Sequence, residues 1–205
     1  MEPIQLTGRH IELVPLDFCH AEALAAASAV DPLLYQWSAV PQGREAVDAY
    51  IEKAVAWREA GIAMPFATVR RRDGAVIGST RLFDIERWAW PPGHARNGRG
   101  NPDGCEIGHT WLTQSAIRTA ANTEAKFLML QHAFEAWQLL RVSLHTDARN
   151  TRSQAAIERI GGKFEGVLRS HRMGADSTAR DSCRYSILAA EWPELKRRFN
   201  ERLDS

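Results

Sequence analysis

The chain has 205 residues, 44% of them apolar and 25% charged, with a formal net charge of +1. That length suits one well-buried α/β domain and is short for two. The near-zero charge argues against a dedicated nucleic-acid binder, and no apolar run approaches the roughly 20 residues that span a bilayer.

The start, MEPIQLTGRHIEL, lacks the charged-then-apolar order of a signal segment, so a cytoplasmic protein is expected. Alternation over residues 9–15 predicts a first strand. Asp17 is placed to cap the Ala-rich helix AEALAAAS, expected to end near Val30 before Asp31-Pro32. Residues 33–37 read as a short helix or an apolar connector. From Gly43 to Ala60 an amphipathic helix stacks Val47, Tyr50, Ile51, Ala54, Val55 and Arg58 on one side, and Gly61 closes it. PFATVRRR and AVIGSTRLFDI then form a hairpin around Asp73-Gly74. Residues 86–104 break every periodicity. Their Trp88 and Trp90 either close over a ligand or pack the loop onto the domain.

Residues 105–137 are the centre of the chain: a strand (CEIGHTWL, with Gly108 marking a bulge), a polar turn, and a long helix. The helix stripe runs through Ala121, Ala125, Leu128, Met129, His132, Ala133, Ala136 and Trp137. A strand that feeds a tight turn of small residues and a helix start presents unpaired N–H groups and the positive helix end, an arrangement suited to phosphate. A strand over 139–147 follows, then a short helix ended by Gly161-Gly162 and two strands around the turn at residues 174–177. A basic amphipathic helix closes the chain over 192–203.

The crossover from strand 106–112 to strand 139–147 demands a parallel pair. One domain over 1–205 is therefore expected, with its core over about 8–192. Its fold class is α/β: a mixed, mostly antiparallel sheet flanked by helices, with a ligand crevice where it turns parallel. Cys19, Cys105 and Cys183 are odd in number and widely spaced, so no disulfide framework is expected. Cys105 and His109 have no third ligand nearby, and no metal is expected.

The segments EIGHTWL, RTAANTEAKFLMLQHAFE, RVSLHTDARNTRSQAAIERIG, FEGVLRSH and RDSCRYSIL followed by EWP, in that order, resemble the GNAT superfamily of acyl-CoA-dependent N-acyltransferases. Within it they look like the ribosomal-protein alanine N-acetyltransferases, from about Gly8 to Trp192. One departure stands out. Where the superfamily has Gln/Arg-x-x-Gly-x-Gly/Ala, this chain has Ser115 to Ala120, with Ser115 at the Gln/Arg position and Arg118 at the first glycine. A lost glycine hinders close backbone approach, whereas an arginine can contact phosphate through its planar fork.

The resemblance implies acetyl-CoA as co-substrate and a splayed, parallel central strand pair. The cradle would be Ile117, Arg118, Thr119, Ala120, Ala121, Asn122 and Thr123. The pantetheine arm would pair along Trp111, Leu112 and Thr113, where a backbone N–H polarises the thioester carbonyl. Asn150 would hold the arm and Ser153 would protonate the departing thiolate, although Asn150 also reads as a plain N-cap. Glu106 is the candidate base, or a strand carboxylate paired with an arginine. His171 is a second base or a solvent-facing histidine, and Asp181 lines the acceptor site or pairs with Arg180 or Arg184. Trp37 and Trp88 belong to segments expected to choose the acceptor. Tyr185 reads as core.

A lysine costs about 4–5 kcal/mol to deprotonate at neutral pH and an α-amine only about 1. The activity the resemblance implies is acetyl transfer to a primary amine, a protein N-terminus or a small amine, by direct attack in a ternary complex. The alternative is a regulatory acyl-CoA-binding module without catalysis. An RNA-docking role through the arginines at 70–72, 96 and 99 is opposed by the net charge, and no membrane partner is expected. The apolar side of the last helix would suit a homodimer.

Overall fold

In the computed structural model, residues 2–29 and 31–204 are described. Strands β1 (Leu6–Thr7) and β2 (Ile11–Pro15) lead through α1 (Ala21–Ser28) and α2 (Gly43–Glu59) to β3 (Ala63–Arg70), β4 (Ala75–Glu86) and β5 (Gly104–Leu112). Helix α3 (Ala121–Gln131) crosses to β6 (Arg141–Asp147), and α4 (Thr151–Arg159), β7 (Lys163–Met173), β8 (Ala179–Leu188) and α5 (Trp192–Asp204) follow. These strands share one sheet, ordered β1-β2-β3-β4-β5-β6-β8-β7. Among the described residues only β5 and β6 pair in parallel.

Local chemistry sets the boundaries. Asp17 accepts the Phe18 N–H at 2.7 Å and so caps a short helical turn, Phe18–His20, that precedes α1. The predicted helix end at Val30 lies outside the described residues. Val47, Ile51 and Ala54 of α2 are fully buried as the periodicity predicts, and Gly61 ends that helix at φ +70°. Helix α3 departs from its predicted stripe near its end. Residues His132–Ala136 form one wide turn, in which Trp137 N–H bonds His132 O. The extra residue rotates the face, so Phe134 is buried and Ala136 is exposed.

Two cores sandwich the sheet. Helices α1 and α2 cover one face with Leu24, Val47 and Ile51, and α3 and α5 cover the other with Met129, Leu130, Trp192 and Phe199. The apolar side of α5 packs on α3, with Phe127 5.6 Å from Phe199 and 6.0 Å from Trp192 between ring centres. That removes the reason for expecting a dimer through this helix.

The site comes from how β5 leaves its neighbours. It pairs with β6 only over Gly104–Arg141, Cys105–Val142 and Glu106–Ser143, and beyond these the strands part. On its other edge the register skips from Arg81–Gly108 to Ser79–Trp111, and His109 lies between at φ +49°. The bulge therefore falls on His109–Thr110, next to the predicted Gly108. Glycine at 108 answers a different need: a Cβ there would stand 2.7 Å from the Phe83 ring.

Candidate active site

After Leu112 the chain crosses the tops of β4 and β3 before entering α3. Thr113 N–H bonds Ile77 O at 2.8 Å. Thr119 Oγ1 donates to Ala116 O at 2.8 Å and accepts from Ala121 N–H at 3.2 Å. Between them Arg118 adopts φ +61°, the conformation that glycine favours. Arginine stands at the expected glycine's position and takes a left-handed backbone. Buried Glu124, in the first turn of α3, accepts the N–H groups of Arg9, His10 and Ile11 at 2.6–2.8 Å. It thereby fixes the helix start against the β1–β2 loop. Beside the turn lies a cavity of about 360 Å³ lined by Arg9, Arg70, Arg71, Arg72, Ser115 and Ala120, among others. Cations and a helix start are features that favour an anion, although Arg70 and Arg72 are paired with Asp73 and Arg71 with Glu12.

At the inner end of the parting strands sits Glu106, nearly buried. Its Oε2 receives Arg172 Nη2 at 2.9 Å and its Oε1 receives Nη1 at 3.4 Å. His145 Nδ1 of β6 lies 2.9 Å from Oε2, off the axis of a straight hydrogen bond, so neither ring nitrogen is satisfied. Burial alone would raise the carboxyl pKa. Contact with His145 and the charges of His145 and Arg172 outweigh that and hold it below the usual range. The His171 ring stands 5.1 Å from His145, and its buried Nδ1 also lacks a partner. Burial, then the charge of Arg172, lowers the His171 pKa.

Glu106 is paired with an arginine, as one reading expected, but it is buried rather than on the surface. Asn150 caps α4, accepting the Ser153 N–H at 3.0 Å. Trp111 faces the α1–α2 core, so it meets the parting strands through its backbone. Leu112 O accepts from Tyr35 Oη at 3.1 Å. Trp37 lies beneath Arg149, 4.1 Å from guanidinium to ring. That arginine also bonds Asp147 and Asp176, so it draws the 31–42 segment to the β7–β8 turn. Trp88 stands elsewhere: the loop at 87–103 is gathered on Asp103, which accepts from Trp88 N–H, Trp90 Nε1 and Arg96 at 2.8–3.2 Å. Trp90 stacks on His94 within the loop, its ring centre 4.1 Å away, while Trp88 stays 44% exposed. Asp181 is on the opposite strand face from buried Ser182, and its carboxylate accepts the Ser170 N–H at 2.7 Å, where β7 is irregular. It shapes the strand edge. Tyr185 is core.

Sequence reasoning did not single out His145, Arg172, Tyr35 or Lys126, and it weighed His109 only as a metal ligand. His109 stands on the bulge with its ring edge toward Phe83 at 4.9 Å and Trp57 at 5.7 Å. Burial and the nearby Arg81 charge lower its pKa, although much of the ring remains open to solvent, which weakens the effect. The nearest signal in the sequence was Gly108, read as marking a bulge one residue before it. No group of His, Cys, Asp or Glu side chains arranged for a metal ion occurs among the described residues. No helix among them is long and apolar enough to cross a membrane.

A sequence profile of the acetyltransferase (GNAT) domain matches residues 10–163. The structure is similar to that of a GCN5-related N-acetyltransferase from Brucella melitensis, at 28% identity over 98% of this chain and 86% of that one, with a TM-score of 0.82. It is also similar to a chain from T. thermophilus assigned as an acetyltransferase, at 33% identity over 99% and 98%, TM-score 0.79. Mycobacterium smegmatis RimJ in complex with CoA-disulfide shares the fold at 22% identity over 93% and 90%, TM-score 0.77. No curated protein matches the sequence.

Proposed function

The chain belongs to the acetyltransferase (GNAT) domain family, and from that premise we propose that it moves the acetyl group of acetyl-CoA to a primary amine by direct attack in a ternary complex. The amine is a protein N-terminal α-amine or a small-molecule amine. The observation that carries this reading is the parting of β5 from β6 just beyond Glu106–Ser143, with the anion-binding turn at its outer end and Glu106, His145 and Arg172 at its inner end.

The turn backbone from Ile117 to Thr123 suits a pyrophosphate because Arg118 keeps the left-handed path that glycine would take. RimJ was solved with CoA-disulfide, which supports a CoA ligand on this fold. The β5 edge from Trp111 to Thr113 is left to pair with the pantetheine arm, and an N–H there polarises the thioester carbonyl. Asn150 uses its carbonyl oxygen as the cap, which leaves its amide group for the arm. Ser153, at the third residue of α4, supplies a proton to the departing thiolate.

Glu106 is ionised and engaged by two partners, so it is a weak proton acceptor. Its contact with His145 positions that ring, whose Nε2 takes the proton of the acceptor's ammonium, directly or through water, so that the neutral amine then attacks. An α-amine needs only about 1 kcal/mol to reach its neutral form at pH 7, within the reach of one imidazole.

The test is thiol release from acetyl-CoA with N-terminal peptides and small amines. Glu106→Gln and His145→Asn should each lower kcat by about 10²–10⁴-fold, with thermal stabilisation by acetyl-CoA retained. Wild-type turnover in either variant would remove that residue from the chemistry. Bound acetyl-CoA without thiol release for any amine would support the non-catalytic acyl-CoA-binding module instead.

A further inference from the structure

Building on acetyl transfer in this cleft, we propose that the acceptor carries a carboxylate close to its amine and that Arg180 binds it. Arg172 and Arg180 are direct cross-strand partners on the β7–β8 hairpin, so their side chains share one face. Like charges placed opposite one another in this way are destabilising. Arg172 has counter-charges in Glu106 at 2.9 Å and Asp84 at 3.4 Å. Arg180 has none within ion-pair distance among the described residues. Its one bond runs from Nε to Ser182 Oγ at 3.0 Å.

The nearby acid, Asp147, is already committed. Its Oδ1 accepts Arg149 N–H and Nε at 2.9 Å, and its Oδ2 accepts Nη2 at 2.8 Å. Partial burial and the charge of Arg172 lower the Arg180 pKa against the pull of Asp147 and Glu106, as befits a cation short of compensation. Beside Arg172 on β7, His171 adds a buried ring nitrogen with no partner.

A guanidinium with free terminal nitrogens matches a carboxylate in planar geometry. The amine must reach His145, which sits with Glu106 and Arg172, so amine and carboxylate are joined by a short link. Two acceptors have that chemistry: a free α-amino acid, and a peptide N-terminus with an acidic second residue.

The experiment measures thiol release in two pairs, L-alanine against L-alaninamide and Ala-Asp-Ala against Ala-Asn-Ala, both peptides amidated. The carboxylate member of one pair should have a kcat/KM about 10–100-fold above its neutral isostere, and the pair that shows the ratio identifies the source. Arg180→Gln should collapse that ratio toward one, and Arg180→Lys should recover part of it, which guards against a folding artefact. Equal rates within both pairs, or a ratio that survives Arg180→Gln, overturn the proposal. If no acceptor releases thiol, the transfer reading fails separately. Thermal stabilisation by L-alanine or Ala-Asp-Ala then decides the site: a shift lost in Arg180→Gln keeps it, and no shift overturns it.

Discussion

At Arg118, where the motif has glycine, the backbone takes a left-handed conformation. An L-residue at φ +61° carries roughly 1–2 kcal/mol of steric cost relative to glycine. The Thr119 side chain holds this path by bonding both sides of the turn. Arg118→Gly should therefore raise the unfolding midpoint, by about 1 kcal/mol in stability, as read by denaturant titration. A fall would mean that the arginine side chain contributes more than its backbone costs. The departure from the family pattern was legible in the sequence, because a turn motif is local. The partners of Glu106 were not. Arg172 lies 66 residues away along the chain, and His145 reaches Glu106 only through the strand order. Alternation in LHTD predicts a strand, but which side faces the cleft is decided by β5 and β8. Asp181 illustrates the same limit: its bond to the Ser170 N–H depends on where β7 is irregular, which the sequence does not show.

At the scale of elements, the contact of α3 with the sheet contains a charge that the apolar stripe did not foretell. Lys126 is buried beneath the β5 bulge, where its Nζ donates to Thr110 Oγ1 at 2.5 Å and to Thr80 Oγ1 at 3.4 Å. Burial pushes its pKa down to about 7. Unfolding returns the amine to its ordinary value near 10.4. Between those two values the unfolded chain binds the extra proton, so stability rises with pH across that window, by up to about 1.4 kcal/mol per unit. Below pH 7 both states are protonated, and the cost of burying the charge is fully present. Unfolding of the wild type and of Lys126→Met, followed from pH 7 to 9.5, should show this slope in the first and lose it in the second. An identical slope in both would assign the titration to another group. The sequence could not reveal this lysine. Helical spacing places residue 126 beside the buried Ala125, and only the bulge at Thr110 gives its amine somewhere to bond.

Across the whole molecule, the sheet is two halves joined edge to edge by three residue pairs and underpinned by the core that α3 and α5 build beneath both. The element order and the parallel crossover were readable from periodicity and connection lengths, because those rules are topological. The place where the strands part was readable only as an expectation, since it depends on a bulge whose register is set by β4. A ligand lying between the halves would stabilise the folded state alone. At a concentration a hundred times its Kd, acetyl-CoA should add about 2.7 kcal/mol, which for a chain of this size is a rise of roughly 5–10 °C in Tm. CoA should give a similar shift because it keeps the pyrophosphate and the pantetheine arm, and NAD should give none. A shift with NAD as well would show that the arginine-lined cavity takes any dinucleotide. No shift with either form of CoA would mean that the turn at Arg118 is no cradle, and the transferase reading would lose its donor.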